Sequence, residues 1–304
     1  MKKLDVVGLG ALNMDKLFRV SRIVSGDEEG FVTGYSESCG GSAANTIVAL
    51  ARLKLKTGFI GKVALDREGR LLLEDLRKES VATQGVIQVE EGRSGSVIGF
   101  IDGEGERALY VDSGVNDMIT MAEARTEYDC RFFHLSSFVG TKSFETQKKL
   151  VQALPRHVKV SFDPGMLYTE RGVEELEPLL KRSDVMFPTQ KELNILFGRS
   201  DYRKGANLLL RQGVKIVAVK LGSRGCYVTD GSQSLHIQAF RVKTVDTTGA
   251  GDAFDAGFLY GLLNNKNLHD CGRIGNYVAS RCVTDVGARA ALPSLSELQE
   301  AGLA

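Results

Sequence analysis

Apolar positions recur along the chain with two different periods. Short apolar runs at residues 4–8, 57–63, 157–163 and 215–220 read as strands buried on both faces. Spacings of three and four predict amphipathic helices over 42–53, 67–79, 141–153, 174–181, 191–197 and 203–212. Strands alternating with helices predict a mainly parallel α/β sheet covered on both sides. Two stretches, 17–37 and 85–112, instead alternate apolar and polar residues and supply no helix to cover them. Within the second, residues 94–101 and 107–111 flank Asp102-Gly-Glu-Gly-Glu106, a hairpin pattern. The expected organisation is an α/β core from 1–16, 38–84 and 113–304, with a small antiparallel β lid from 17–37 and 85–112.

One helix departs from the amphipathic pattern. Residues 253–263 are apolar nearly all round, with Phe254, Phe258, Leu259, Tyr260, Leu262 and Leu263, so this helix belongs inside the protein. The turn ahead of it reads Asp246-Thr-Thr-Gly-Ala-Gly-Asp252. Gly249 and Gly251 tolerate unusual backbone angles and leave a ligand free to approach. The N–H groups of Gly249, Ala250 and Gly251 would converge at the positive end of a helix, which suits an anion. Asp252 stands beside them as a carboxylate able to take a proton from an attacking hydroxyl, a pairing that suits phosphoryl transfer. Helix capping also accounts for an Asp and a Gly at such a place. A bare glycine-lined terminus on a buried helix, however, leaves costly unpaired donors unless something binds there.

Composition narrows the field further. The 304 residues carry 39 basic and 38 acidic side chains, a net charge of +1, with no basic block to meet nucleic acid or an acidic membrane. Cys39, Cys130, Cys226, Cys271 and Cys282 are scattered and form no C-x-x-C pair, as expected of reduced thiols in a cytoplasmic protein. The sequence contains neither a signal-peptide core near its start nor an apolar run of membrane-spanning length.

Three further clusters bear on ligands. Gly8-Leu-Gly10 begins a dinucleotide fingerprint but lacks its third glycine, and no clear helix follows. Asn13 and Asp15, just past the first strand, suit either a turn or a polyol held by amide and carboxylate. Gly40-Gly-Ser-Ala-Ala-Asn45 opens a helix, with Gly41 permitting close approach, Asn45 within reach of the same pocket, and Ser42 able to serve as a simple N-cap. No P-loop pattern occurs anywhere.

The Gly-Gly-x-x-x-Asn run at 40–45 and the Asp-x-Thr-Gly-Ala-Gly-Asp run at 246–252 resemble the two signatures of the ribokinase, or PfkB-type carbohydrate kinase, family, and the likeness spans nearly the whole chain. The resemblance implies a ribokinase-like α/β core with a β lid and ATP-dependent phosphorylation of a hydroxymethyl group. Asp252 then matches the catalytic base, and Gly249, Ala250 and Gly251 the anion hole. Asn13, Asp15, Gly41 and Asn45 match substrate-binding positions. Lys220, Gly222 and Gly225, with Asn276 and Thr189, fall on the nucleotide side. Glu192 falls where relatives organise magnesium, and Asp246 and Thr248 where many hold potassium.

Three departures from that pattern matter. Thr189-Gln-Lys-Glu192 stands where relatives carry Asn-x-x-Glu, which bears on magnesium and nucleotide affinity. Lys220 replaces a usual Thr or Ser, which bears on donor preference, and Ser42 replaces a lysine of true ribokinases. The resemblance favours a small-sugar kinase first. A nucleoside kinase is the alternative, since Ser161-Phe-Asp163-Pro-Gly165 and Cys271-Gly-x-x-Gly275 resemble archaeal nucleoside-kinase-like members; a non-catalytic ligand-binding relative comes third. A homodimer through the lid is expected, because exposed lid strands invite pairing.

Overall fold

The computed structural model describes residues 3–104, 106–124, 129–198 and 201–304. In chain order the strands are β1 (Lys3–Leu9), β2 (Asn13–Val20), β3 (Val32–Gly40), β4 (Thr57–Ala64), β5 (Ala82–Val89), β6 (Gly95–Ile101) and β7 (Arg107–Asp112). They continue as β8 (Asp129–Leu135), β9 (Lys159–Phe162), β10 (Val185–Met186), β11 (Ile216–Lys220), β12 (Cys226–Thr229) and β13 (Ser234–Ile237). Among the described residues, nine of these form one sheet in the order β13-β12-β11-β10-β9-β8-β1-β4-β5. It is parallel from β11 through to β5, with β12 and β13 turning back as an antiparallel edge. Every residue of β4 is buried, so it lacks the apolar–polar alternation of a half-exposed strand, and its buried Lys62 is paired with Glu123 at 2.6 Å.

The second sheet has the order β3-β2-β6-β7 and differs from expectation in two ways. It is not wholly antiparallel: β2 runs parallel to β6, with Asp15 opposite Val97 and Leu17 opposite Gly99. The chain leaves the β2–β3 hairpin, builds helix, β4, helix and β5 in the core, and returns beside β2 in the same direction, so those two strands cannot be antiparallel neighbours. Residues 85–89, expected in the lid, belong to β5 and pair with β4 in the large sheet, while the small sheet reaches from Asn13 to Gly40. The hairpin over 102–106 is present, with Asp102 Oδ1 accepting from the N–H groups of Glu104 and Glu106; Gly105 lies outside the described residues.

Two helices at the centre carry the site. The helix Ala250–Leu263 is buried along nearly its whole length, as its apolar circumference predicts. Against it lies the helix Leu268–Cys282, which the periodicity did not single out. Glycines bring the two backbones together. A Cβ at Gly257 would meet the Ile274 carbonyl at 2.7 Å, one at Gly261 the Cys271 Sγ at 2.8 Å, and one at Gly275 the Phe254 ring at 2.8 Å. The Cys271-Gly-x-x-Gly275 stretch therefore serves packing in this fold.

Candidate active site

The site is assembled where the helix Ala250–Leu263 meets the helix Ser42–Arg52. Gly249 caps the first with φ 76°, and no side chain caps it. The first helical backbone bond runs from Ala253 N–H to Gly249 carbonyl at 2.9 Å, so the amides just ahead of it lie at the free positive end. Ala250 is less free than expected, since its N–H already reaches the Thr247 carbonyl at 3.2 Å. Gly249 cannot be replaced without strain, for a Cβ there would lie 2.4 Å from that of Ala288.

Asp252 sits in the first turn of this helix and is gripped from across the interface. Ser42 Oγ donates to its Oδ1 at 2.8 Å, and Asn45 Nδ2 donates to its Oδ2 at 2.8 Å. Thr46 Oγ1 also donates to its carbonyl at 3.2 Å, locking the two helices together at this point. Burial, with the nearby charge of Asp163, pushes the Asp252 carboxyl up to about 6 against the pull of those hydrogen bonds. That value suits a proton acceptor at neutral pH. Ser42 is thus more than a turn residue, a role its sequence position left open.

Of the residues expected to bind the acceptor, Asp15 senses the Asp252 charge, and Gly41 lies next to Ser42, which bonds to Asp252. Gly41 takes φ 109°, and a Cβ on it would strike the Ala11 carbonyl at 2.1 Å, so only glycine lets the helix start here. Asp15 points off β2 into the same region, where burial and the Asp252 charge raise its carboxyl to about 7 while Arg289 opposes the rise. Asn13 Oδ1 accepts from Asn116 Nδ2 at 2.9 Å, and Asn116 also clamps the Leu12 backbone at both N–H and carbonyl. Asn116 and Arg289 escaped the sequence reading because no motif surrounds either.

On the other side of the glycine turn lies a cavity of about 960 Å³. Thr189, Lys220, Gly222, Gly225, Gly251 and Asn276 all line it, so the residues placed on the nucleotide side do share one pocket. Gly222 and Gly225 adopt φ 60° and 86° and shape its rim, where the Leu221 N–H bonds to the Gly225 carbonyl at 2.9 Å. Asn276 does not present its amide hydrogens to this space. It spends them on the Ile237 and Gln238 carbonyls at 3.0 and 3.1 Å, holding the wall of the pocket.

Lys220 also plays a different part from a plain nucleotide contact. Its Nζ bonds to Asp163 at 2.7 Å and lies 3.4 Å from Asp255, with all three side chains buried. Burial opposes its charge, but Asp163, Asp255 and Glu192 outweigh that and raise its pKa. Burial drives the Asp255 carboxyl well above its ordinary value, with the Lys220 charge opposing the rise. A Cβ at Gly251 would come within 3.3 Å of Lys220 Nζ, which places the ammonium beside the anion-binding turn.

The residues expected near metals are already engaged. Thr189 and Glu192 form a reciprocal capping box, with Glu192 Oε2 accepting from Thr189 N–H at 2.7 Å and Thr189 Oγ1 accepting from Glu192 N–H at 3.2 Å. Asp246 accepts from Thr248 N–H and Oγ1, from Gly287 N–H, and from Arg107 Nη2 at 3.0 Å. Arg107 Nη1 also reaches Thr248 Oγ1 at 3.2 Å. Asp246 Oδ1 thus takes three donors and Oδ2 one, and a guanidinium from the small sheet supplies positive charge beside it.

A mainly parallel sheet with a separate small sheet, and an aspartate just past a glycine turn that lines a 960 Å³ cavity, fit a ribokinase-like kinase of sugars or nucleosides. The family model for pfkB family carbohydrate kinases matches residues 3–295. An uncharacterized sugar kinase of Archaeoglobus fulgidus is 46% identical over 81% of this chain and 98% of its own. An ATP-dependent ribose-1-phosphate kinase of Halopiger xanaduensis is 33% identical over 94% of both chains. Among solved structures, the ribokinase of Thermotoga maritima superposes with a TM-score of 0.85 and 25% identity, covering 98% of each chain. The chain belongs to the pfkB family of carbohydrate kinases.

Proposed function

We propose that this protein transfers the terminal phosphoryl group of ATP to a primary hydroxyl of a small sugar, with Asp252 as the general base. The observation that carries the reading is the setting of Asp252. Its carboxylate is aimed by Ser42 and Asn45, and the turn ahead of it lines the 960 Å³ cavity. The acceptor lies against Asn13, Asp15, Gly41 and Asn45, and the nucleotide lies in the cavity beside Gly222 and Gly225. The free amides of the glycine turn and the Lys220 ammonium face the phosphates, where fixed donors are each worth about 3 kcal/mol in such transfers.

Magnesium fits this donor set in one way only. Among the described residues no cluster of three His, Cys, Asp or Glu side chains could cage a metal. Glu192, close to the cavity through Thr189, suits an ion held mainly by phosphates and water, as magnesium prefers. When bound, the ion would neutralise charge on the transferred group. Scattered thiols, and the absence of any membrane-spanning helix among the described residues, suit a cytoplasmic enzyme.

A nucleoside acceptor is the second reading, favoured by the lid. Strand alternation puts Leu17, Val97, Gly99, Leu109 and Val111 on the face that carries Asn13 and Asp15, and a Cβ at Gly99 would touch both Leu17 and Leu109. Such an apolar roof suits a base better than a bare polyol. ADP release measured against panels of sugars, nucleosides and ribose 1-phosphate decides between them. The same assay on Asp252→Asn should show turnover reduced by about 10²–10⁴-fold; near-normal turnover would reject the base assignment. Exposed Phe31, Tyr35 and Tyr110 on the lid support a homodimer there, and a monomer by light scattering would refute it.

A further inference from the structure

The acceptor side contains an arginine in contact with the machinery but belonging to neither signature. Arg289 is about nine-tenths buried, its side chain 10% exposed, and its guanidinium is engaged through Nε and Nη1 while Nη2 has no hydrogen-bond partner among the described residues. Its Nη1 pairs with Asp75 on the helix Arg67–Lys78, and its Nε donates to Asn45 Oδ1 at 2.7 Å. Asn45 in turn donates from Nδ2 to Asp252 Oδ2 at 2.8 Å. A carboxamide has one accepting and one donating end, whereas a guanidinium can only donate. An arginine at Oδ1 therefore compels Nδ2 to face the carboxylate. We propose that Arg289 is a positioning residue: anchored by Asp75, it fixes the amide of Asn45 so that Asn45 donates to the Asp252 carboxylate and aims it. This builds on the base role of Asp252 given above.

Without that constraint the amide could rotate and set Oδ1 against Oδ2. Two acceptors face to face disfavour the ionised carboxylate and spoil its aim. Asp163 and Lys220 from the sheet side, Asp255 on the same helix, Asp15 on β2 and the Cys282 thiol also act on Asp252 or feel its charge. Among them only Asp15 senses Arg289 strongly, so charge and geometry must be separated by the choice of variant. Arg289→Lys keeps the positive charge but lacks the fork that spans Asn45 and Asp75 together.

The test is a carbon-13 carboxyl NMR titration of Asp252 in the full chain, assigned with Asp252→Asn, alongside steady-state kinetics. In both Arg289→Lys and Arg289→Met, Asp252 should titrate at higher pH than in the parent protein. Turnover at saturating acceptor should fall about 10–10²-fold, with the KM for ATP unchanged. An Arg289→Lys protein with the parent titration curve overturns the proposal, whether or not turnover has dropped, because a loss without a shifted titration reflects structure alone. If Arg289→Met does not fold, Arg289→Lys decides the matter by itself. Should Asp252→Asn remain active, the base reading fails, yet the titration still reports whether Arg289 governs that carboxyl.

Discussion

Two carboxyls in this site are tuned by burial to titrate near neutrality, and they do so for different purposes. In the proposed roles, Asp15, raised to about 7, accepts from two hydroxyls only when ionised, and Asp252, raised to about 6, takes a proton only when ionised. On the acid side, kcat/KM for the acceptor should bend near 7 and steepen below 6, because free-enzyme groups govern that ratio. Asp15→Asn should remove the upper bend and leave the lower one, which a pH series on both proteins will check. The same tuning costs stability. A carboxyl whose folded pKa lies above its unfolded value contributes most when protonated, below about 4, and loses that contribution as pH rises through 6. Asp252→Asn should therefore unfold later than the parent at pH 8, by on the order of 2 kcal/mol, and the gain should vanish near pH 4. Denaturant melts at the two pH values test this; equal stability of the two proteins at pH 8 would contradict it.

At the level of elements, the site depends on glycines that no other residue can replace. Gly249 at φ 76° faces Ala288 with no room for a Cβ, so Gly249→Ala should cost about 1–3 kcal/mol and displace the turn that lines the nucleotide cavity. Melting temperature and KM for ATP should both worsen; a change in neither would mean that the turn tolerates the methyl. This turn and the buried helix behind it were legible in sequence because local composition determines both. The helices at 42–53, 67–79 and 141–153 were legible for the same reason, and the observed spans agree to within one residue at either end. The helix Leu268–Cys282 was not singled out; its Gly275 packs on Gly257 and Phe254 and its Gly272 on Ile237 and Cys226, contacts that local pattern does not show. Nor was the parallel pairing of β2 with β6, which depends on how the chain returns from the core. Arg289 and Asn45 stand 244 positions apart and Lys220 and Asp163 stand 57 apart, separations that local pattern cannot bridge.

For the molecule as a whole, the small sheet matters by what fastens it over the core. Along one side, Lys16 on β2 pairs with Glu68 at 2.8 Å, and Glu37 on β3 pairs with Arg67 at 2.6 Å, both partners lying on the helix that follows β4. At the far edge, Arg107 on β7 crosses to Asp246 and Thr248 in the turn ahead of the helix Ala250–Leu263. This last link joins the small sheet directly to the glycine turn ahead of Asp252. The Arg107 side chain is 39% exposed, and ion pairs of that kind contribute under about 1 kcal/mol to folding. Its loss should therefore leave the melting temperature nearly unchanged while freeing the lid edge. Water then reaches the nucleotide more readily, and the acceptor is held less firmly. Arg107→Ala should raise the KM for the acceptor several-fold and increase ATP hydrolysis measured without acceptor, whereas KM for ATP should move little. High salt should weaken the same pair in the parent protein and reproduce part of the effect, since an exposed pair is screened. Unaltered acceptor KM and unaltered idle hydrolysis in the variant would show that the lid is seated by its Lys16 and Glu37 pairs alone.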